Sequence, residues 1–207
     1  MEKWIGKTAV VTGASAGIGA EIVRDFAKNG INVIALARRV EKLDALKKEL
    51  ETADGKVIPM RCDVSDKKSI DATFDEIAET FGSVQILVNN AGVGLAGQML
   101  GDDEDEAVDE RLVTTVETNL IGLVRMSRRA YKLMVKADDY GIIINIGSIL
   151  SHSVPFSVFE LNIYSATKHA VKAATETMRQ ELIKHDNYKV RVCVSFSAGN
   201  SFKFLFY

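Results

Sequence analysis

Residues 12–19 read Thr-Gly-Ala-Ser-Ala-Gly-Ile-Gly, and they stand between a short β-branched run and a segment with helical periodicity. In such a turn Gly13 permits the tight bend, Gly17 lets the backbone approach a pyrophosphate, and Gly19 lets the helix pack closely on the strand. Glycine also marks ordinary turns, so the position between strand and helix is what predicts a dinucleotide site. The predicted cofactor contacts in this turn are Gly13, Ser15, Gly17, Ile18 and Gly19.

A unit of strand, loop and helix recurs along the whole chain. The run Asn32–Ala37 is apolar, and the next segment, residues 40–51, has Leu43, Leu46 and Leu50 on one stripe. Apolar strands that alternate with helices are typical of a parallel sheet covered on both faces. Right-handed crossovers then favour a doubly wound, Rossmann-type α/β fold in three layers. The predicted strands are Thr8–Thr12, Asn32–Ala37, Val57–Arg61, residues 86–88, Gly141–Ile146 and residues 190–194; the predicted helices are Gly17–Lys28 and residues 40–51, 66–81, 104–135 and 164–185.

Length and composition indicate one ordinary globular domain. The chain has 207 residues, of which 47% are hydrophobic and 26% charged, so neither disorder nor a fibrous repeat is favoured. A formal net charge of -2 provides no basic field for nucleic acid. The longest apolar runs are far shorter than the roughly 20 residues of a membrane span. We find no secretory signal at the start of the sequence and expect a reducing compartment, the cytoplasm.

Neither a disulfide nor a metal site is predicted. Cys62 and Cys193 are the two cysteines, far apart and without partner ligands at metal-binding spacing. We expect both to be buried core residues. The histidines His152, His169 and His185 do not form a cluster, and we expect them in loops or on helix surfaces.

The end of the second predicted strand indicates the cofactor. Sites that prefer NAD usually place an acidic residue there, which binds the ribose 2′-hydroxyl. Here Ala37 is followed by Arg38 and Arg39, whose guanidinium groups suit a 2′-phosphate. NADP is therefore the predicted cofactor; the alternative is that both arginines begin a solvated helix.

Two further motifs follow in a fixed order. Residues 89–92 read Asn-Asn-Ala-Gly, and residues 164–168 read Tyr-Ser-Ala-Thr-Lys. Together with the glycine turn at residues 12–19, they resemble the short-chain dehydrogenase/reductase family, in particular its subgroup with subunits of roughly 250 residues. The resemblance covers about residues 5–195. Within the family, the loop and helix over residues 162–182 are most similar to the insect farnesol dehydrogenase-like members and the animal 17β-hydroxysteroid or 3-keto reductase members.

The resemblance implies a catalytic group of four residues. Tyr164 would be the general acid and base, and Lys168, four residues on, would lower the pKa of a phenol that is normally about 10. Both would also face the cofactor. Ser148 would hold the substrate oxygen, and Asn119 would anchor a water in the proton relay. The alternatives are that Ser148 caps a turn and that Asn119 bonds to the backbone.

The resemblance also implies the remaining cofactor contacts. Asp63 and Val64 would meet the adenine, while Asn89, Ala91 and Gly92 would line the dinucleotide. Asn89 could equally bridge strands of the sheet as a structural residue. Hydride would pass between the nicotinamide and a substrate carbon, so no metal is required.

Two features depart from the family. Ser148 and Tyr164 are sixteen positions apart, which is about three more than usual, and a longer loop beside the substrate favours a roomy apolar pocket. Phe156, Phe159 and Leu161 lie in that loop, although they could simply be packed there. From residue 196 the aromatic sequence does not match the family, so we expect the last strand and helix to be lacking. The predicted domains are an incomplete NADP-binding catalytic domain over residues 1–195 and an atypical tail over residues 196–207.

The leading hypothesis is an oxidoreductase that transfers hydride between NADP(H) and a secondary or allylic alcohol and its carbonyl compound. The substrate would be lipid-like, such as a terpenoid alcohol, a retinoid or a steroid. The alternative is a catalytically impaired member of the family that binds cofactor or a protein partner. Because family members often pair through the helices that here begin near Glu104 and Tyr164, we expect a homodimer.

Overall fold

A parallel sheet of six strands forms the centre of the fold in this computed structural model, which describes residues 2–100, 107–154 and 161–196. The strand order is β3-β2-β1-β4-β5-β6, so the chain leaves β1 in one direction and returns to its other side at β4. In an open sheet of this kind, ligands bind at the carboxyl ends of the strands where the order reverses. The strands are β1 (Thr8–Thr12), β2 (Asn32–Ala37), β3 (Val57–Arg61), β4 (Ile86–Asn89), β5 (Gly141–Ile146) and β6 (Val190–Ser195).

Helices cover both faces of the sheet and complete the three layers. Neighbouring residues of β1 face opposite clusters: Val11 packs with the first two helices, and Val10 packs with the third and fifth. Both side chains are fully buried, which explains why the strand is apolar along its length. The predicted doubly wound α/β fold is therefore confirmed. The α-helices are α1 (Gly17–Lys28), α2 (Val40–Glu49), α3 (Lys67–Phe81), α4 (Ala107–Val116), α5 (Leu123–Ala137) and α6 (Tyr164–Lys184).

Local sequence explains where several helices begin and which face they bury. Asp66 caps α3, because its carboxylate accepts hydrogen bonds from the backbone amides of Lys68 and Ser69. On the α2 side, the predicted stripe of Leu43, Leu46 and Leu50 is buried against the sheet. Most predicted boundaries agree with the structure to within two residues, as expected for helix and strand ends.

The predicted helix over residues 104–135 is interrupted. Its first residues lie outside the described ranges, α4 ends at Val116, and a π-helical segment, Glu117–Gly122, follows before α5 begins. Gly122 lies against the loop after β3: a Cβ atom added there would be 2.3 Å from the carbonyl oxygen of Val64. The helix therefore approaches this loop through a residue without a side chain, at the point where its hydrogen bonding changes.

The two cysteines differ in burial. Cys62 is buried, as predicted, but the prediction for Cys193 is wrong, because its side chain is exposed. Cys193 lies on β6, the outer strand of the described sheet, and it points away from the face where Val192 packs.

Within the described residues, no group of histidines, cysteines and carboxylates is arranged to hold a metal ion. No described helix is long and apolar enough to cross a membrane. The loop phenylalanines Phe156 and Phe159, and residues 197–207 of the tail, lie outside the described residues.

Candidate active site

A cleft of about 550 Å³ opens at the carboxyl ends of the central strands, beside the glycine turn. Its volume lies within the usual range for small-molecule and cofactor sites. It runs from the end of β2, past the turn after β1, to the segment after β4. Nine of the predicted cofactor residues line it: Gly13, Ser15, Ile18, Arg38, Arg39, Asp63, Val64, Ala91 and Gly92.

The glycine turn has the shape that the sequence predicts. Gly13 has a φ of +66°, and a Cβ atom there would lie 2.9 Å from the Cα atom of Ala91. A Cβ atom at Gly19 would lie 2.4 Å from the carbonyl oxygen of Gly13, so α1 packs against the turn only through glycine. Ala16 precedes α1 and makes no side-chain cap. The first amides of α1 are therefore not capped by a side chain. Together with the glycine turn they form a cradle that fits the pyrophosphate of a dinucleotide.

One threonine joins the glycine turn to the segment after β4. The Thr12 hydroxyl accepts hydrogen bonds from the backbone amides of Asn90 and Ala91, both at 3.0 Å, and donates to the carbonyl oxygen of Val88 at 3.3 Å. The Asn90 side chain in turn donates to the carbonyl oxygen of Thr12 at 2.9 Å and lines the cleft. Neither Thr12 nor Asn90 was among the predicted site residues. The only signal was their position inside the two glycine-containing motifs.

Two arginines stand at the end of β2. Arg38 and Arg39 are exposed and line the cleft, and an Nη atom of Arg39 donates to the hydroxyl of Ser15 at 3.0 Å. This bond brings the guanidinium from the β2 end to the glycine turn. The cleft therefore has a cationic wall beside the cradle.

The loop after β3 supplies the one carboxylate that lines the cleft within the described residues. The Asp63 carboxylate accepts hydrogen bonds from the backbone amide of Ser65 at 3.0 Å and from its hydroxyl at 2.7 Å. Its amide donates to the hydroxyl of Ser69 at 2.9 Å. The hydrogen bonds from Ser65 thus fix the Asp63 side chain within this loop. Gly122 packs closely against the carbonyl oxygen of the neighbouring Val64.

Asn89 lies in the interior instead of lining the cleft. Its side-chain amide donates to the hydroxyl of Ser127 and to the side-chain oxygen of Asn145, both at 2.8 Å. Asn145 donates further to the hydroxyl of Thr175 at 2.9 Å. This buried network links β4 and β5 to α5 and α6, which supports the structural alternative for Asn89. A direct contact of Asn89 with the cofactor stays a prediction.

Tyr164, Lys168 and Ser148 come together at the end of β5. The Lys168 side chain is only 5% exposed, its ammonium donates to the carbonyl oxygen of Ile146 at 2.9 Å, and it lies 5.7 Å from the centre of the Tyr164 ring. The Ser148 side chain lies near enough to the Tyr164 phenol to lower its pKa, and the Ser148 hydroxyl accepts a hydrogen bond from the amide of Leu150 at 3.2 Å. Ser148 thus caps the short 3-10 helix Ile149–Ser151 while it stays near the phenol, so the capping alternative does not displace it from the site.

Burial changes the pKa values of Tyr164 and Lys168. It raises the pKa of Tyr164, and the nearby Ser148 only partly offsets this effect. Burial also lowers the pKa of Lys168 to about 8. Removal from water is the largest effect on both groups, and the lowering of the phenol pKa by Lys168 stays a prediction.

Asn119 lies in the π-helical segment and is 1% exposed. Its side-chain oxygen accepts from the amide of Val93 at 2.8 Å. Its side-chain nitrogen donates to the carbonyl oxygen of Val93 at 2.9 Å and to the hydroxyl of Thr167 at 3.1 Å. These bonds support the alternative in which Asn119 holds the backbone after β4, next to Gly92 and Lys168. Its role in anchoring a water stays a prediction.

Comparison with known proteins agrees with this geometry. The short chain dehydrogenase family model matches residues 7–198. The chain is 47% identical to a farnesol dehydrogenase of Aedes aegypti over 183 residues, which is 88% of this chain and 73% of that protein. This chain belongs to the short-chain dehydrogenase family. It is also 38% identical to dehydrogenase/reductase SDR family member 11 of Gallus gallus over 94% of this chain and 75% of the other. A third member, the NADP-dependent 3-hydroxy acid dehydrogenase of Schizosaccharomyces pombe, is 33% identical over 88% of this chain and 68% of its own.

Solved structures of short-chain dehydrogenases match the fold. A metagenomic enzyme in complex with NADP has a TM-score of 0.80 and 33% identity, covering 94% of this chain and 83% of its own. An enzyme of Burkholderia phymatum in complex with NAD has a TM-score of 0.81 and 29% identity, covering 95% of this chain and 66% of its own. This oxidoreductase family therefore includes structural neighbours of the chain that bind either nicotinamide cofactor.

Within this short-chain dehydrogenase, the predicted residues fall into two groups. One group lines the cleft, as described above. The other lies beside or behind it: Gly19 and Asn89 are buried, Gly17 opens α1 with a φ of +55°, and Tyr164 and Lys168 stand at the end of β5. Besides Asn90, the cleft has further lining residues that were not predicted from the sequence: Ala16, Ala37, Cys62, Val93, Leu95, Thr114 and Thr118.

Proposed function

We propose that this chain transfers hydride between NADP(H) and a secondary or allylic alcohol and its carbonyl compound. The observation that carries the proposal is the buried group at the end of β5. There the Ser148 side chain lies near the Tyr164 phenol, and the Lys168 ammonium lies 5.7 Å from the centre of the Tyr164 ring. Hydride transfer to a carbonyl needs a proton donor at the carbonyl oxygen, and a phenol beside a hydroxyl group suits that role.

The side chains divide the proton chemistry between them. When bound, the nicotinamide supplies or accepts the hydride. In reduction, the Ser148 hydroxyl holds the substrate oxygen while the Tyr164 phenol gives it a proton. In oxidation, the deprotonated Tyr164 phenolate takes the proton from the alcohol and becomes the phenol again. Lys168, with a pKa of about 8, gains and loses a proton near neutral pH and so suits the return of a proton to Tyr164. Asn119 is the proposed anchor for a water in that relay.

The preference for NADP over NAD rests on Arg38, Arg39 and Ser15. A 2′-phosphate at the end of β2 would meet two guanidinium groups, one of which already bonds to the glycine turn. Each such charge-assisted bond is worth about 1.5–3 kcal/mol. The carboxylate nearby, Asp63, is engaged with Ser65. The name of the fission yeast relative and the NADP complex of the metagenomic enzyme favour this preference, whereas the NAD complex of the Burkholderia enzyme shows that the fold alone does not decide it.

The cofactor preference is tested by charge reversal at the β2 end. We expect the unmodified chain to bind NADPH at least about tenfold more tightly than NADH, and Arg38→Asp and Arg39→Asp to reverse that order. Lys48→Asp, which makes the same change in charge on the exposed side of α2, is the matched control and should leave the order unchanged. Dissociation constants come from the fluorescence of the bound nicotinamide. Equal affinities of the unmodified chain for both cofactors would contradict the proposal.

A lipid-like substrate is the second part of the proposal. Two leucines supply apolar surface in this region: Leu161 lies with Tyr164 against Gly94, and Leu95 lines the cleft. The similarity to a farnesol dehydrogenase favours a terpenoid alcohol, while retinoids and steroids remain in the same class. Turnover of a panel of these alcohols and their carbonyl compounds, with NADP(H), tests this part. Binding of NADPH without turnover of any member of the panel would favour the alternative, a cofactor-binding protein without activity.

We also propose that the chain forms a homodimer in the cytoplasm. The helices expected to pair include α6, whose face away from the sheet carries exposed residues. Both cysteines are free, which suits a reducing compartment. Sedimentation equilibrium tests the dimer, and a monomer at micromolar concentration would contradict it.

A further inference from the structure

A glycine without an evident structural need lies beside the catalytic tyrosine. Gly94 is in the segment after β4, it is exposed, and its φ lies outside the left-handed region that favours glycine. A Cβ atom there would lie 3.4 Å from Cδ2 of Tyr164 and 3.6 Å from Cδ2 of Leu161. These are ordinary van der Waals distances. Neither the backbone nor the nearest atoms therefore require glycine at this position.

The backbone on both sides of Gly94 is held in place. Val93 exchanges two hydrogen bonds with the side chain of Asn119, at 2.8 and 2.9 Å. Three residues after Gly94, Gly97 forms a parallel bridge with Leu161 and accepts a hydrogen bond from the amide of Asn162 at 3.0 Å. Since both ends are anchored, a large side chain at position 94 cannot be accommodated by a simple shift of the segment. It would instead fill the space beside the Tyr164 ring.

We infer that Gly94 sets the size of the substituent that a substrate can place beside Tyr164. The space beyond its missing side chain accepts a bulky apolar group attached to the carbonyl carbon of a ketone or to the carbon of a secondary alcohol. Leu161 and the edge of the Tyr164 ring supply apolar walls for that group. The inference rests on the proposed function, because it takes Tyr164 as the residue that meets the substrate oxygen.

The test uses two ketones with the same groups next to the carbonyl, 2-butanone and 4-phenyl-2-butanone, which differ by one phenyl ring. Their reduction by NADPH is measured for the unmodified chain, Gly94→Ala and Gly94→Val. A pocket that loses the room for an apolar group discriminates by about 10- to 200-fold for even small changes in volume. We therefore expect Gly94→Val to lower kcat/KM for the phenyl ketone at least about tenfold more than for 2-butanone.

Gly94→Ala is the matched control. It removes the backbone freedom of glycine but adds only the one carbon that fits at 3.4 Å from Tyr164. A loss caused by a stiffer loop would already occur in this variant, whereas a loss caused by filled space occurs only with valine. Leu161→Ala in the Gly94→Val background should restore reduction of the phenyl ketone. Equal losses for both ketones, or no loss in Gly94→Val, would overturn the inference.

A second readout separates this inference from the proposed function. If the unmodified chain reduces neither ketone, the proposed activity fails for this class, and binding still tests the role of Gly94. Calorimetry then measures the affinity of the NADPH-loaded protein for 4-phenyl-2-butanone. Gly94→Val should weaken this binding about tenfold and Gly94→Ala should not. Unchanged affinity in Gly94→Val, or no binding to the unmodified chain, overturns the inference.

Discussion

Replacing Lys168 with methionine should make the stability of the fold less dependent on pH while it removes activity. Lys168 is 5% exposed and its pKa falls from 10.5 to about 8 through burial. One pKa unit corresponds to about 1.4 kcal/mol, so the buried ammonium costs the folded chain roughly 3 kcal/mol at neutral pH. Methionine has a similar length and no charge, so the variant lacks this cost.

The direction of the effect follows from proton binding. Between pH 8 and pH 10.5 the unfolded chain binds the Lys168 proton and the folded chain does not, so raising the pH through this window stabilises the fold. The cost is fully present below about pH 8. It should fall from roughly 3 kcal/mol at pH 7 to roughly 1 kcal/mol at pH 10. The free energy of unfolding of the unmodified chain should therefore gain about 2 kcal/mol relative to Lys168→Met over that range.

Urea denaturation of both proteins at pH 7, 8, 9 and 10, without cofactor, measures this difference. Other groups titrate in the same range, but their contributions cancel between the two proteins. The variant also loses the hydrogen bond to the carbonyl oxygen of Ile146, which lowers its stability by an amount that does not depend on pH. A difference that is constant from pH 7 to pH 10 would refute the reasoning. Hydride transfer should be lost at every pH.

The remaining predictions concern the phenol and the helix that carries Asn119. Tyr164→Phe should lower kcat by about 10²- to 10⁴-fold, because it removes the proposed proton donor, and should leave the dissociation constant for NADPH nearly unchanged. Residual turnover within about tenfold of the unmodified chain would exclude Tyr164 as the acid. Gly122→Ala should destabilise the fold by about 1–3 kcal/mol in urea denaturation, because its Cβ atom would lie 2.3 Å from the carbonyl oxygen of Val64. Gly122→Ala should also weaken NADPH binding, because it displaces the Val64 loop. Gly94→Ala is the control: it has room for its Cβ atom and should keep the stability of the unmodified chain. Equal stability of the two alanine variants would contradict this account.

The sequence was sufficient for the features that depend on local periodicity. The strands of this sheet are buried on both faces, so their apolar runs identified them directly, and Asn32–Ala37 has the predicted ends. The turn from Gly13 to Gly19 was predictable because its backbone and packing admit no side chain at those two positions. The pair of Tyr164 and Lys168 was predictable through the resemblance to the family, because helical spacing places the two on one face but is equally typical of an ordinary surface pair.

Other features depend on tertiary contacts that leave no local signal. The π-helical segment Glu117–Gly122 was predicted as part of an ordinary helix, and its last residue packs on the Val64 loop, which is distant in the sequence. The exposure of Cys193 depends on which helices cover the outer strand of the described sheet. The raised pKa of Tyr164 results from burial by residues distant in the sequence.

The hydroxyl of Thr12 has a consequence for amide hydrogen exchange. The amides of Asn90 and Ala91 lie outside any helix or strand. Amides in such loops ordinarily exchange their hydrogens with solvent much faster than those of the core strands. Both donate to the same buried oxygen, which is fixed at the end of the central strand β1. Their exchange should therefore require the opening of the sheet itself, so two loop amides will report the global stability of the fold from inside the cofactor cleft.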